Sequence, residues 1–136
     1  MSAFEGLVAG FGCRHDCPEA QVWALLHHAL LLIGARPEEL QGLATFERRA
    51  QERGLLAVAQ ALALPLVGYD TPTLTSFEPQ LSHRSAVSWR HTGCYGIAES
   101  AALSHCGNLY GGVPRLVVTR LHNAYATVAL ASPTPR

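Results

Sequence analysis

Residues 7–33, LVAGFGCRHDCPEAQVWALLHHALLLI, constrain the fold more than any other stretch. Leu7 to Phe11 is an apolar run of strand length, and Gly10 and Gly12 interrupt it. After it, Val22, Leu25, Leu26, Ala29, Leu30 and Ile33 recur at the i, i+3, i+4, i+7 spacing of a helix face. A buried strand that turns through glycine into an amphipathic helix is the unit from which parallel sheets are built. Pro18 suits the first helical position, with Cys17 or Asp16 before it as cap, and Gly34 followed by Arg36-Pro37 closes the far end. A glycine turn running straight onto a helix start also offers free backbone N–H groups to an anion.

The same alternation continues along the chain. A strand is expected around Leu43 to Phe46, a helix over Leu55 to Ala63, and a third strand from Leu64 to Val67, with Pro65 tolerable near a strand's first residues. Asp70-Thr71-Pro72 reads as a helix cap with proline behind it. Phe77 to Tyr95 is a long polar connection without a sustained period. A helix of small residues, Gly96 to Cys106, ends at Gly107-Asn108. Leu116 to Arg120 and Tyr125 to Leu130 then form an antiparallel hairpin. Right-handed crossovers turn this order into a three-layer α/β/α sandwich, a mostly parallel sheet of about five strands with an antiparallel edge strand. One domain is expected over residues 1–131, with 132–136 a disordered tail.

Ten arginines balance ten acidic residues, so no whole-molecule field favours nucleic acid or an anionic membrane. Lysine is absent, and every cation is therefore a planar, fork-shaped donor suited to carboxylates. No run approaches the roughly 20 apolar residues of a membrane span, and MSAFEGLVAGFG lacks a signal peptide's basic lead, so a cytoplasmic protein with Cys13, Cys17, Cys94 and Cys106 as thiols is expected. The Cys13–Cys17 spacing is not the CxxC of a zinc or redox knuckle, and neither a metal site nor a cofactor is assigned.

The motifs in order are GFGC at the first turn, ATFERRAQERGL at the second, LPL, GIAESAAL, LVVTR and TVALA. This series, from about Leu7 to Ala131, resembles the cobalamin-biosynthesis family of the CobE proteins and the CbiG carboxy-terminal domain, in its free-standing form. The resemblance implies a role in corrin-ring synthesis. In the multidomain CbiG members it implies opening of a lactone on a contracted cobalt-corrinoid precursor, with a two-carbon fragment released as acetaldehyde. Against the family pattern, a hydroxyl-bearing helix start is replaced by Cys17-Pro18, and Arg49 and Arg120 stand where lysines are usual.

Precorrins carry acetate and propionate groups around a flat apolar macrocycle, so a binder needs several anion donors beside an apolar floor. Gly12 and Cys13, through backbone N–H, together with Arg14, Arg49 and Arg120 are candidate carboxylate donors. The plain alternative is a tight turn and solvated arginines. Glu47 and Glu52 beside Arg49, Tyr69 at the third strand's end, and Thr92 and Gly93 in the long connection complete the candidate ligand-binding set. Glu99 is a candidate general base or arginine holder, and the plain alternative for each of these acids is a structural ion pair or helix-start charge. Cys13 is a candidate nucleophile if a helix N-terminus lowers its pKa, with His15 as base. Of the seven histidines, His15, His91 and His122 lie in turns, and His27 and His28 sit off the apolar stripe. Three functions follow: a tetrapyrrole binder that assists a step or passes the intermediate between enzymes, a precorrin-lactone hydrolase, or a docking module for pathway methyltransferases.

Overall fold

A computed structural model describes residues 4–86, 89–90 and 96–135. Five strands, β1 (Leu7–Cys13), β2 (Leu40–Phe46), β3 (Leu66–Tyr69), β4 (Pro114–His122) and β5 (Ala126–Pro133), form one open sheet in the order β3-β2-β1-β5-β4. The helices that position the site are α1 (Glu19–Leu32), α2 (Arg53–Leu62), α3 (Thr71–Thr75) and α4 (Ile97–Tyr110).

Strand alternation assigns the two faces. Leu7, Ala9 and Phe11 of β1 pack with Leu43 and Leu130 under Val22, Leu26 and Leu30 of α1 and Leu55 and Val58 of α2. Val8 points the other way, into Ala102, Leu103 and Cys106 of α4, and Ala44 and Phe46 meet Leu74, Ile97 and Ala101. The α/β/α sandwich with a five-stranded, mostly parallel sheet is therefore as expected. β1, β2 and β3 are parallel neighbours, while β5 runs against both β1 and β4. The antiparallel strand is thus one place in from the edge, and β4 at the edge is parallel to β1, because the hairpin inserts β5 beside β1.

α4 is buried on all sides from Ile97 to Cys106 and has no apolar stripe to press on the sheet. It approaches instead through missing side chains. A Cβ on Gly10 would lie 2.1 Å from Ala98 O and 2.5 Å from Ala102 N, and one on Gly42 would lie 2.7 Å from the His105 ring. Gly10 and Gly12 therefore belong to a strand that continues to Cys13, and the expected glycine turn into a helix is corrected: α1 starts only at Glu19. Its N-cap is Pro18, with no side-chain cap bond, so neither Cys17 nor Asp16 caps it. Asp70 does cap α3, accepting the Thr73 N–H at 3.0 Å. α4 runs past Gly107-Asn108 to Tyr110, and β5 runs through Pro133, two residues into the expected tail, with Ser132 Oγ donating to Glu5 O at 2.9 Å.

Candidate functional site

Parallel pairing brings the carboxyl ends of β1, β2 and β3 to one edge of the sheet, and β4, parallel to β1, ends there too. Strand order reverses beside β1, whose neighbours are β2 on one side and β5 on the other. Open α/β sheets bind ligands at this kind of switch point. A cavity of about 540 Å³ lies there. Its walls come from the end of β1 (Gly12, Cys13, Arg14, His15), the exit of β2 (Phe46, Arg49), the start of α4 (Ile97, Ala98, Glu99), Arg120 on β4, and the β4–β5 turn with Asn123, Tyr125 and Thr127.

The structure thus gathers Gly12, Cys13, Arg14, His15, Arg49, Glu99 and Arg120 around one space. Glu52 stands behind them. It occupies the N-cap position of α2, and its buried carboxylate, which makes no cap bond to that helix, accepts from His15 Nδ1 at 2.9 Å, Asp16 N at 3.0 Å and Arg49 Nη1 at 3.4 Å. Burial pushes its carboxyl up, but the His15 and Asp16 hydrogen bonds and the charges of His15 and Arg49 outweigh that and hold it below its ordinary value. Glu52 therefore anchors the residues that line the cavity.

Glu99 is buried at the cavity wall and accepts from Ser82 N at 2.8 Å, Arg120 N at 2.9 Å and the Ser82 hydroxyl. Its oxygens fasten the long connection and β4 to the start of α4. Holding Arg120 is the role the geometry gives it, through the backbone of Arg120 rather than the guanidinium. Arg120 Nε itself is buried with no hydrogen-bond partner among the described residues, an unusual state for a strong donor.

Several expectations are corrected. Gly12 and Cys13 pair with Thr127 and Ala126 in the ladder, and the Arg14 N–H donates to Tyr125 O at 2.9 Å, so β1's end is not a cradle of free N–H groups. No helix starts beside Cys13. Burial, then the Cys17 and Glu52 charges, push its thiol up to about 12 against a smaller opposite effect of Arg49, which is the reverse of activation. Glu47 is exposed in the turn after β2, with its Cα over Gly68, and does not line the cavity. Tyr69 does not line it either: its hydroxyl lies 2.6 Å from His105 Nδ1 and accepts from Asn108 Nδ2 at 3.3 Å, which ties β3 to the middle of α4. Thr92 and Gly93, with His91 and Tyr95, lie outside the described residues.

Two contributors escaped the sequence reading. Asn123 accepts the Tyr125 and Ala126 N–H groups and donates to Gln21 O, fixing the hairpin turn that walls the cavity against α1. Asparagine in a short hairpin turn was a readable signal for that role. Ser82, the partner of Glu99, sits in an aperiodic segment and gave no signal.

Residues 7–131 match the family model described as cobalamin synthesis G C-terminus. The chain is 39% identical over 128 residues to protein CobE of Sinorhizobium sp., covering 94% of this chain and 80% of that protein. It is 27% identical to the cobalt-precorrin-5A hydrolase of Priestia megaterium over 92% of this chain, but spans only 32% of that relative. The crystal structure of a CobE from the cobalamin (vitamin B12) biosynthetic pathway superposes with a TM-score of 0.92 at 34% identity, covering 100% of this chain and 97% of the other. The cobalamin biosynthesis protein ChiG from Agrobacterium tumefaciens superposes at 0.69 with 31% identity, covering 95% and 99%.

Proposed function

This chain belongs to the cobalamin synthesis G C-terminus family and is a cobalamin biosynthesis protein, and from that premise we propose that its cavity binds a carboxylate-rimmed tetrapyrrole precorrin. Binding would assist a step on the intermediate or carry it between pathway enzymes. The observation that carries this reading is Arg120: its Nε is buried beside a cavity and has no protein acceptor among the described residues. A buried guanidinium donor without a partner costs free energy, and a ligand carboxylate would relieve that cost.

The surroundings agree in kind. Arg14 and Arg49 line the same space, so up to three fork-shaped donors face a ligand that carries several carboxylates. Phe46, Ile97, Ala98 and Ala126 supply an apolar wall for the macrocycle's edge. At about 540 Å³ the cavity suits part of a macrocycle, leaving the rest at the surface.

Hydrolysis is the second reading. It is favoured by the similarity to cobalt-precorrin-5A hydrolases, of which this chain spans only a part. The test of both is titration of the purified protein with a series of precorrin intermediates, followed by absorbance and mass spectrometry. Saturable spectral change without change of mass is the result expected for a binder, and no spectral response to any precorrin would refute the proposal.

A further inference from the structure

The turn between β4 and β5 is fastened on two sides. The side-chain oxygen of Asn123 accepts the N–H groups of Tyr125 at 2.9 Å and Ala126 at 3.0 Å, and its amide donates to Gln21 O on α1 at 3.1 Å. The Tyr125 carbonyl accepts the Arg14 N–H at the end of β1 at 2.9 Å. Both backbone polar groups of Tyr125 are thus engaged, and its place on the cavity wall is fixed. Its side chain is the opposite case. Tyr125 is 42% exposed, and it has no ring contact and no side-chain hydrogen bond among the described residues. Of the large apolar side chains that the described residues expose, it is the one that lines the cavity.

We infer that Tyr125 is the platform on which the flat face of a closed tetrapyrrole ring stacks, so that the cavity selects a macrocycle over small polycarboxylates that its arginines alone would hold. The inference rests on the proposed binding of a carboxylate-rimmed tetrapyrrole and goes beyond it, because it assigns the residue that reads the ring rather than the rim. Flat conjugated rings pack on a phenol ring in an offset stack. A tyrosine loses little freedom in doing so, having two side-chain torsions, and here the backbone beneath it is already fixed.

The other apolar residues of the wall do not offer an open face. Phe46, Ile97, Ala98 and Ala126 are all buried, so a macrocycle meets only their outer atoms. Arg14 is the neighbour of Tyr125 across the end of the β1–β5 pair and lines the same space, and its guanidinium has no partner among the described residues. A ring seated on Tyr125 therefore has its carboxylate rim beside a fork-shaped donor. The competing use of Tyr125 is a hydrogen bond from its hydroxyl to a ligand carboxylate. That use needs the hydroxyl and not the ring, and a phenylalanine separates the two.

The test uses the full chain and two probes, a precorrin followed by absorbance and propane-1,2,3-tricarboxylate followed by NMR titration. Tyr125→Ala should raise the dissociation constant of the precorrin about ten-fold, the usual loss when a stacking ring is removed, and should leave that of the tricarboxylate as in wild type. Tyr125→Phe keeps the ring and should bind both probes as wild type does. In tyrosine-labelled protein the ring protons of Tyr125 should show a nuclear Overhauser effect to the bound macrocycle, a signal that a merely structural residue would not give. Precorrin binding by Tyr125→Ala at wild-type affinity would overturn the inference and leave the binding proposal intact. Equal weakening of both probes, or a Tyr125→Phe protein as weak as Tyr125→Ala, would overturn it too, the first assigning Tyr125 to the shape of the anion site and the second to its hydroxyl. Failure of wild type to bind the precorrin at all would overturn both.

Discussion

Replacing Gly10 with alanine tests how α4, and with it the cavity wall, is seated. The new Cβ would lie 2.1 Å from Ala98 O and 2.5 Å from Ala102 N, both backbone atoms of a helix buried on all sides. A carbon and a carbonyl oxygen settle no closer than about 3.3 Å, so α4 must retreat by roughly 1.2 Å. Overpacking of this kind costs about 1–3 kcal/mol. The lower entropy of an unfolded alanine returns about 0.4–1 kcal/mol, which leaves a net loss of about 1–2 kcal/mol. For a chain of this size that lowers Tm by roughly 3–10 °C. Gly107→Ala on the same helix is the control, since its Cβ would meet nothing nearer than Pro114 Cγ at 3.8 Å. It should gain about 0.5–1 kcal/mol from helix propensity. Urea denaturation followed by circular dichroism, read as a change in midpoint at constant slope, measures both. Gly10→Ala as stable as wild type would refute the close-approach argument, as would equal losses at the two glycines.

Cys13, with its thiol pushed up to about 12, should react with iodoacetamide at pH 8 roughly a thousand-fold more slowly than an unperturbed cysteine of pKa near 8.5, as measured by peptide mass spectrometry; a rate near the free-thiol value would contradict the burial argument. Glu52 is more acidic folded than unfolded, so the native state binds fewer protons. Its stabilisation should be complete above roughly pH 4.5 and lost as pH falls through the lower folded value. Acid unfolding of Glu52→Gln should lack that part of the pH dependence, and an unchanged acid limb would show that the anchor is not Glu52.

The architecture was legible because period-2 and period-3.6 patterns alternate along the chain, and that order leaves few sheet topologies. The role of Gly10 and Gly12 was not. A glycine that frees a turn and a glycine that admits a helix look alike in one sequence, and only the small residues of GIAESAAL, Ala98 and Ala102, hinted at the second use. Tyr69 ends its strand at the expected edge, but its hydroxyl is taken by His105, 36 residues away. No local pattern encodes such a pairing. Arg49, Arg120 and Glu99 were legible as strand-end and helix-start charges, whereas the bond of His15 to Glu52 joins two turns through the fold and becomes visible only there. The thiol of Cys13 was misjudged for the same reason: its environment depends on where α1 begins, and five residues separate Cys13 from that helix.

The central claim is that guanidinium groups at the switch point, Arg120 above all, hold ligand carboxylates, and the affinity of the arginine variants for a precorrin tests it most directly. Dissociation constants from absorbance titration should rise about ten-fold to a hundred-fold in Arg120→Ala, since a charge-assisted pair at a buried donor is lost. Arg49→Ala should lose less, because Glu52 already engages that side chain, and Cys13→Ser should bind as wild type does. An Arg120→Ala protein that folds normally and binds the precorrin as tightly as wild type would contradict the account.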